Sequence, residues 1–250
     1  MIDRIYIPTL GRPNTQITYD GLPDFVKDIT YLVVQPHEKD LHGDKKVIVL
    51  PESVKGIHNT RKWIYEQAKN TIWGMYDDDL VFLTRQGSKK TVMTAEEWKY
   101  MLETTNKFLT NGTAFAGHRL SFLNPTDIDY METGAIHCAF YFNGHIVPEL
   151  TWPIPLAEDL HMVLSLLEMG YNNIVWHKFS VENKEYSEGG CNTDGLRDIH
   201  KINEAHKQLM KLHPGLVKDD GIKKNKMGDM IKIRIAWKKA YKHSNLLGYL

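Results

Sequence analysis

Cysteine is scarce: only Cys138 and Cys191 occur in 250 residues. That is too few for a disulfide framework, and the two lack the paired spacing of a zinc site. Long apolar runs are missing as well, and no window approaches the ~20 residues needed to cross a bilayer. Met1-Ile-Asp-Arg has neither the basic nor the apolar stretch of a secretion signal. The expectation is a soluble chain, without membrane insertion, in a reducing cytoplasm. Excess charge is also lacking, with 31 basic against 31 acidic residues, so no overall field draws in nucleic acid or anionic membrane. The length suits one large α/β domain with a sizeable core.

Against this even background one stretch stands out, Thr71-Ile-Trp-Gly-Met-Tyr-Asp-Asp-Asp-Leu80, an apolar run ending in three carboxylates. Adjacent like charges stay ionised only when a cation sits between them. Mg²⁺ or Mn²⁺ suits such a place, because it takes one or two carboxylates and leaves other positions to water and substrate phosphate. On an extended backbone Asp77 and Asp79 share a face and Asp78 points away. A solvated turn after a strand is the alternative for an isolated acidic triplet.

The flanking segments read as α/β units. Arg4-Ile-Tyr-Ile-Pro8 is a short strand closed by the Thr9-Leu-Gly-Arg-Pro-Asn-Thr15 loop, the place where an open α/β sheet often holds a nucleotide. Pro8, Thr9, Gly11 and Arg12 are therefore nucleotide-site candidates. Strands are expected over 29–34 and 46–50, which suggests parallel βαβ connections. A helix between Gly56 and Asn70, starting at Asn59 or Thr60, puts Arg61 in its first turn, where an anion could bind. The other reading of Arg61 is a surface charge. Thr94-Ala-Glu-Glu97 is a capping box for a helix to about Leu109, stopped by Asn111-Gly112. Strands at 114–117 and 134–142 flank His118 and Arg119, which either contact phosphate or sugar or are merely solvated, and a polar connection over 124–129.

Trp152-Pro-Ile-Pro leads into a helix with Glu158 and Asp159 in its first turn, an apolar stripe of Leu160, Val163, Leu164 and Leu167, and a stop at Gly170. Acids there suit the helix dipole; a carboxylate fixed in direction also suits a general base. Residues 173–179 read as a strand that places His177 near an edge. Glu185 to Thr193 reads as a mobile loop able to close over substrates or as a linker, and an amphipathic helix from Leu196 to Leu212 ends at Pro214-Gly215.

Taken together, the Pro-Thr-Leu-Gly-Arg-Pro loop, the Asn-Thr-Arg helix, the Asp-Asp-Asp cluster, the Glu-Asp helix ending in Gly-Tyr and the late histidine resemble the GT-A glycosyltransferases, family-2-like, over residues 4 to 180. The resemblance implies an α/β fold, a Rossmann-like central, mostly parallel sheet flanked by helices. It also implies a nucleoside-diphosphate sugar donor, UDP-sugar favoured, bound with Mn²⁺ or Mg²⁺ at Asp77 to Asp79. Asp79 would be the direct ligand, Arg61 a donor contact, Asp159 beside Glu158 the base of an inverting enzyme, and His177 the ligand completing the metal site. If the anomeric configuration is retained, Asp159 instead orients a substrate. A nucleotidyltransferase is disfavoured by the lack of a glycine-rich, lysine-containing loop near the N-terminus.

The neutral total hides a basic tail. From Lys218 to Leu250 nine basic residues face three acids, leaving +6 there and −6 elsewhere. Met230, Ile233, Trp237 and Tyr241 fall at helical spacing, so residues 218–250 are expected as a basic helical extension packed on a glycosyltransferase domain at 1–217. Lys223, Lys224, Lys226, Lys238 and Lys239 would then track a nucleic-acid backbone or simply be solvated. The Ile-Pro-Thr-Leu-Gly-Arg-Pro opening and this basic end resemble, more narrowly, the phage TET-associated glycosyltransferases, which implies a hydroxymethylated pyrimidine of DNA as acceptor. The alternatives are a glycan or lipid-carrier acceptor and a non-catalytic nucleic-acid-binding protein.

Overall fold

The first strand, β1 (Arg4–Pro8), is buried at every position but its first, as its apolar run requires. It pairs in parallel with β2 (Thr30–Val34) and with β4 (Ile72–Tyr76), and β2 pairs in parallel with β3 (Val47–Val49). The computed structural model describes residues 1–184, 198–225 and 228–241. Two short helices, α1 (Ile17–Asp20) and α2 (Asp24–Lys27), connect β1 to β2. The α3 helix (Ile57–Gln67) returns the chain to β4.

Beyond β4 the chain turns at the aspartates into β5 (Leu80–Gln86) and β6 (Lys89–Val92), a hairpin that the sequence reading did not separate. The capping box is formed at α4 (Ala95–Thr110) by Thr94 and Glu97. Then come β7 (Phe115–Leu120), β8 (Tyr130–Glu132), β9 (Ala139–Asn143), α5 (Glu158–Glu168), β10 (Asn173–Asn183) and α6 (Ile199–Leu212). The sheet order is β3-β2-β1-β4-β9-β7-β10-β5-β6, with β8 joined to β10. Its first four strands are parallel, β7 and β10 are parallel, and the remaining neighbours are antiparallel. The β4 strand is buried at all five positions and lies between β1 and β9, which is why it reads as a continuous apolar run.

Helices cover both faces. One cluster joins Ile64 and Tyr65 of α3, Val163 and Leu167 of α5 and Leu209 of α6 to Trp73, Phe115 and Phe142 of the sheet. The other joins Val26, Trp98 and Met101 to Ile5, Ile7, Phe82 and Trp176. Gly117 sits where segment and sheet meet most closely: a Cβ there would lie 2.4 Å from both the Ala139 carbonyl oxygen and Ile136 Cγ2.

The basic tail is not helical through residue 235. It forms an antiparallel hairpin of β11 (Val217–Asn225) and β12 (Gly228–Ile235), and only residues 237–241 are helical. Ile231, Ile233 and Ile235 alternate as a strand does, and β-branched residues favour that state. The helical spacing of Met230, Ile233, Trp237 and Tyr241 was a coincidence across two elements. Leu216, Val217 and Ala240 are buried in the cluster shared with α5, so the tail packs on the same core. The loop expected from Glu185 to Thr193, together with Leu196 and Lys226, lies outside the described residues.

Candidate active site

The chain turns at the three aspartates instead of running extended. Asp77 N–H donates to the Cys138 carbonyl at 2.9 Å, and Thr18 N–H donates to the Asp78 carbonyl at 3.1 Å. The Thr18 hydroxyl donates to the Asp77 carbonyl at 2.6 Å and accepts from Leu80 N–H at 2.7 Å. Held this way, the carboxylates fan out. Asp78 is buried and turned to the β1 loop, where it accepts from Thr9 Oγ1 at 2.6 Å and Arg12 at 2.5 Å. Asp77 pairs with Arg61. Asp79 accepts from Asn183 at 3.3 Å and lies 3.9 Å from Arg12. The cations between the carboxylates are thus, in part, two guanidinium groups.

That compensation is incomplete at Asp79. Burial, followed by the charges of Asp77 and Asp78, raises its carboxyl to about 6, against the pull of Arg12 and Asn183. Burial also raises Asp78, opposed by its bonds to Thr9 and Arg12. Among the described residues no three His, Cys, Asp or Glu side chains converge as a ready-made metal cage. A Mg²⁺- or Mn²⁺-type ion that retains water and substrate phosphate needs only one or two carboxylates, and Asp79 with Asp77 is a donor set of that kind.

The β1 loop is a built turn. Gly11 has φ +70°, a conformation that glycine adopts without strain, and its N–H donates to Glu38 at 2.6 Å. Gln16 bonds to Thr9 Oγ1 and the Arg12 carbonyl, and Pro8 is buried at the end of β1. Glu38 is 2 % exposed, and its second carboxylate oxygen has no partner among the described residues; the same is true of Gln16 Oε1 and of both ring nitrogens of the buried His42. Buried polar atoms without partners are costly, and here they border the turn where a donor would sit. Sequence reasoning missed Glu38, Gln16 and Thr18, because nothing in their local pattern shows that they fold against residues 9–12 and 77–80.

Arg61 is the hub. The α3 helix begins after Gly56, earlier than expected, which moves Arg61 out of the first turn and into the core at 5 % exposure. One guanidinium nitrogen bonds to Glu158 at 2.7 Å and the other to Asp77. It is a buried counter-ion tying the aspartate turn to the start of α5. Glu158, raised by burial against the pull of Arg61, is committed to that pair and is not free to act as a base. Asp159 differs: its side chain is 20 % exposed, and His137 Nδ1 lies 3.8 Å away. Burial pushes its carboxyl up, but the nearby His137 and the Arg61 charge outweigh that and hold it below the usual range. Ala157, in the left-handed region at φ +58°, starts the helix and aims this pair.

The structure therefore gathers Thr9, Arg12, Asp77, Asp78, Asp79, Arg61, Glu158 and Asp159 in one connected cluster. It does not bring His177 there. Asn183 touches Asp79, whereas His177 lies six residues earlier on β10, on the far side of the bulge between Trp176 and Ser180. His177 Nδ1 instead meets Thr126 Oγ1 at 2.7 Å and Arg119 at 3.2 Å. The metal role expected for it is withdrawn: it lies at the Trp176/Ser180 bulge and is held by the 124–129 connection, through Thr126 and the Asp129 carbonyl. Lys223 and Lys224 are exposed on the hairpin and Lys238 and Lys239 on the following turn of helix.

A sequence profile described as TET-Associated Glycosyltransferase matches residues 4–190, spanning the β1 loop, the aspartate turn, α5 and β10. The chain belongs to that family. This TET-associated glycosyltransferase is also similar to two proteins named beta-glucosyl-HMC-alpha-glucosyl-transferase. The one from Enterobacteria phage T6 is 26 % identical over 228 residues, covering 83 % of this chain and 80 % of the relative. The one from phage T2 is 27 % identical over 204 residues, covering 74 % and 72 %. A solved mycobacterial protein aligns over 93 % of this chain and 82 % of its own, at 10 % identity and a TM-score of 0.49. Family membership makes the protein a glycosyltransferase, and its α/β sheet flanked by helices is the architecture expected from the sequence. No helix among the described residues is long and apolar enough to cross a membrane.

Proposed function

We propose that this protein transfers a sugar from a nucleoside diphosphate, UDP favoured, to a hydroxyl on a hydroxymethylated pyrimidine of DNA. The observation that carries the reading is the Arg61 bridge, which ties the aspartate turn to the Glu158-Asp159 helix start. A leaving nucleoside diphosphate and an attacking hydroxyl need charge compensation on one side and a proton acceptor on the other, and this cluster offers both. The unpartnered oxygens of Glu38 and Gln16 beside Gly11 support a nucleoside hydrogen-bonded there. The phage relatives' names, in which HMC reads as hydroxymethylcytosine, support the acceptor.

In this reading the chain's residues divide the work. Asp159, kept ionised beside His137, accepts the proton of the acceptor hydroxyl. Arg61 and Glu158 set its direction. Thr9 and Arg12 hold Asp78, and so the turn, against the donor loop. Asp79 with Asp77 would hold Mn²⁺ or Mg²⁺, which when bound neutralises charge on the diphosphate.

The test is transfer from a panel of nucleotide sugars to duplexes with cytosine, hydroxymethylcytosine or glucosylated hydroxymethylcytosine, read by mass. The expected result is one added hexose on a modified duplex only, abolished by chelator and restored by Mn²⁺. Transfer confined to glycan or lipid acceptors would overturn the acceptor, and transfer unaffected by chelator would overturn the metal.

A further inference from the structure

On β5 and β7, to one side of this cluster, two arginines, Arg85 and Arg119, stand without an acidic partner among the described residues. Leu83 pairs with Ser180 and Ser180 with Arg119, so Arg85, two residues after Leu83, lies on the same sheet face as Arg119. That is the face on which α3 and α5 pack, since Phe115, at even spacing from Arg119 on β7, belongs to their cluster. Neither arginine makes an ion pair with any described residue. Arg85 donates to the Leu123 carbonyl at 2.9 Å, and its Nε is buried without a partner among the described residues. Arg119 donates to His177 Nδ1.

The surroundings add to the positive field. The nearby acids are already engaged: Glu182 with Lys184 at 2.7 Å and Lys90 at 3.9 Å, Asp129 with Lys178 at 3.5 Å. His177, lowered to about 4 by burial, Arg119 and Arg85, is a neutral acceptor that fixes Arg119. Phe122, next in the chain to the Leu123 whose carbonyl Arg85 holds, is 74 % exposed, and Val92, at the sheet edge, is 64 % exposed. Two like guanidinium groups held together without a counter-ion form a site for an anion. The adjoining exposed aromatic suits a nucleotide better than a bare ion.

We infer that Arg85 and Arg119 bind the phosphodiester backbone of the acceptor DNA, with His177 and Thr126 as positioning residues for Arg119. This deepens the proposed function and rests on its DNA acceptor. Ser180, opposite Arg119, is three residues from Asn183, which touches Asp79. The site thus lies roughly 10 Å along β10 from the aspartate turn. A duplex strand advances about 3.4 Å per nucleotide, so the held phosphate is about three nucleotides from the reacting one.

The test is binding of a short unmodified duplex across a salt series, about 50 to 200 mM, for wild type, Arg85→Gln/Arg119→Gln, Arg85→Lys/Arg119→Lys and a Lys223→Gln/Lys224→Gln/Lys238→Gln/Lys239→Gln variant. Each phosphate contact contributes about 0.9 to the slope of log affinity against log salt. The glutamine pair should lose about 1.8 of it, and the lysine pair should retain the wild-type slope. Equal slopes for wild type and the glutamine pair overturn this site while leaving a DNA acceptor standing. Flattening by the tail variant alone, or equal damage from the lysine pair, also overturns it. Loss of UDP-glucose binding by the glutamine pair would move the arginines to the donor. No duplex binding by wild type at low salt would remove the DNA acceptor and this site together.

Discussion

At the scale of single residues, Arg61 decides most. Removing one partner of a buried ion pair leaves a charge uncompensated and costs on the order of 3–5 kcal/mol. Arg61→Met strands both Glu158, 5 % exposed, and Asp77. The expected outcome is a loss of that order in urea unfolding, with Arg61→Met/Glu158→Gln recovering a large part of it because the buried charge is then gone. A double variant no more stable than the single one would show that Arg61 matters by packing alone. Asp159→Asn addresses chemistry: turnover should fall about 10²–10⁴-fold with donor affinity nearly unchanged, since a base acts in the transition state. Single-turnover rates and donor calorimetry separate the two. Arg61 and Asp159 were both visible in the sequence, but Arg61 reads there as an anion-facing charge; only the fold shows that its partners come from residues 77 and 158.

At the scale of elements, one strand and two helices carry constraints that composition does not display. Gly117 on β7 has no room for a side chain, so Gly117→Ala should cost a few kcal/mol through displacement of the Ile136 segment or of β9. Denaturant unfolding would measure it, and a change below about 0.5 kcal/mol would show that the segment yields freely. His118, on the same strand, is fully buried between Phe179 O and the Tyr141 hydroxyl, and burial lowers it to about 4. His161 of α5, 2.9 Å from His213 at the end of α6, is likewise lowered to about 4, by burial and by His213. With folded values below the unfolded 6.5, the unfolded chain takes up protons first. The stability they contribute is complete above about pH 6.5 and is lost as pH falls toward 4. Between about pH 7.5 and 5 each should cost on the order of 2 kcal/mol. Urea midpoints at the two pH values check this, and His118→Gln should show a smaller drop than wild type.

At the scale of the whole molecule, the hairpin of β11 and β12 is part of the body. Leu216, Val217 and Ala240 share a buried cluster with α5, and Ile233 and Ile235 pack against it. A chain ending at Leu216 should lose about 2 kcal/mol or more of apolar burial and melt several degrees lower. An unchanged melting temperature would mean that the tail is an independent appendage.

The sequence by itself determined the α/β class, the strands at 4–8 and 72–76, the capped α4, and the acidic turn and acidic helix start as candidate chemistry. Those features are local: apolar period, proline and glycine stops, and caps act within a few residues of themselves. It did not determine the direction in which a carboxylate points, the loss of His177 to Arg119 and Thr126, or the state of the tail, where β-branched alternation and helical spacing overlapped. Partners such as Gly11 with Glu38, Arg61 with Glu158 and Asp79 with Asn183 lie 27, 97 and 104 residues apart. No periodicity reaches over such separations. The tertiary structure decided these, because a buried charge settles against whichever distant group the packed sheet brings within hydrogen-bonding reach.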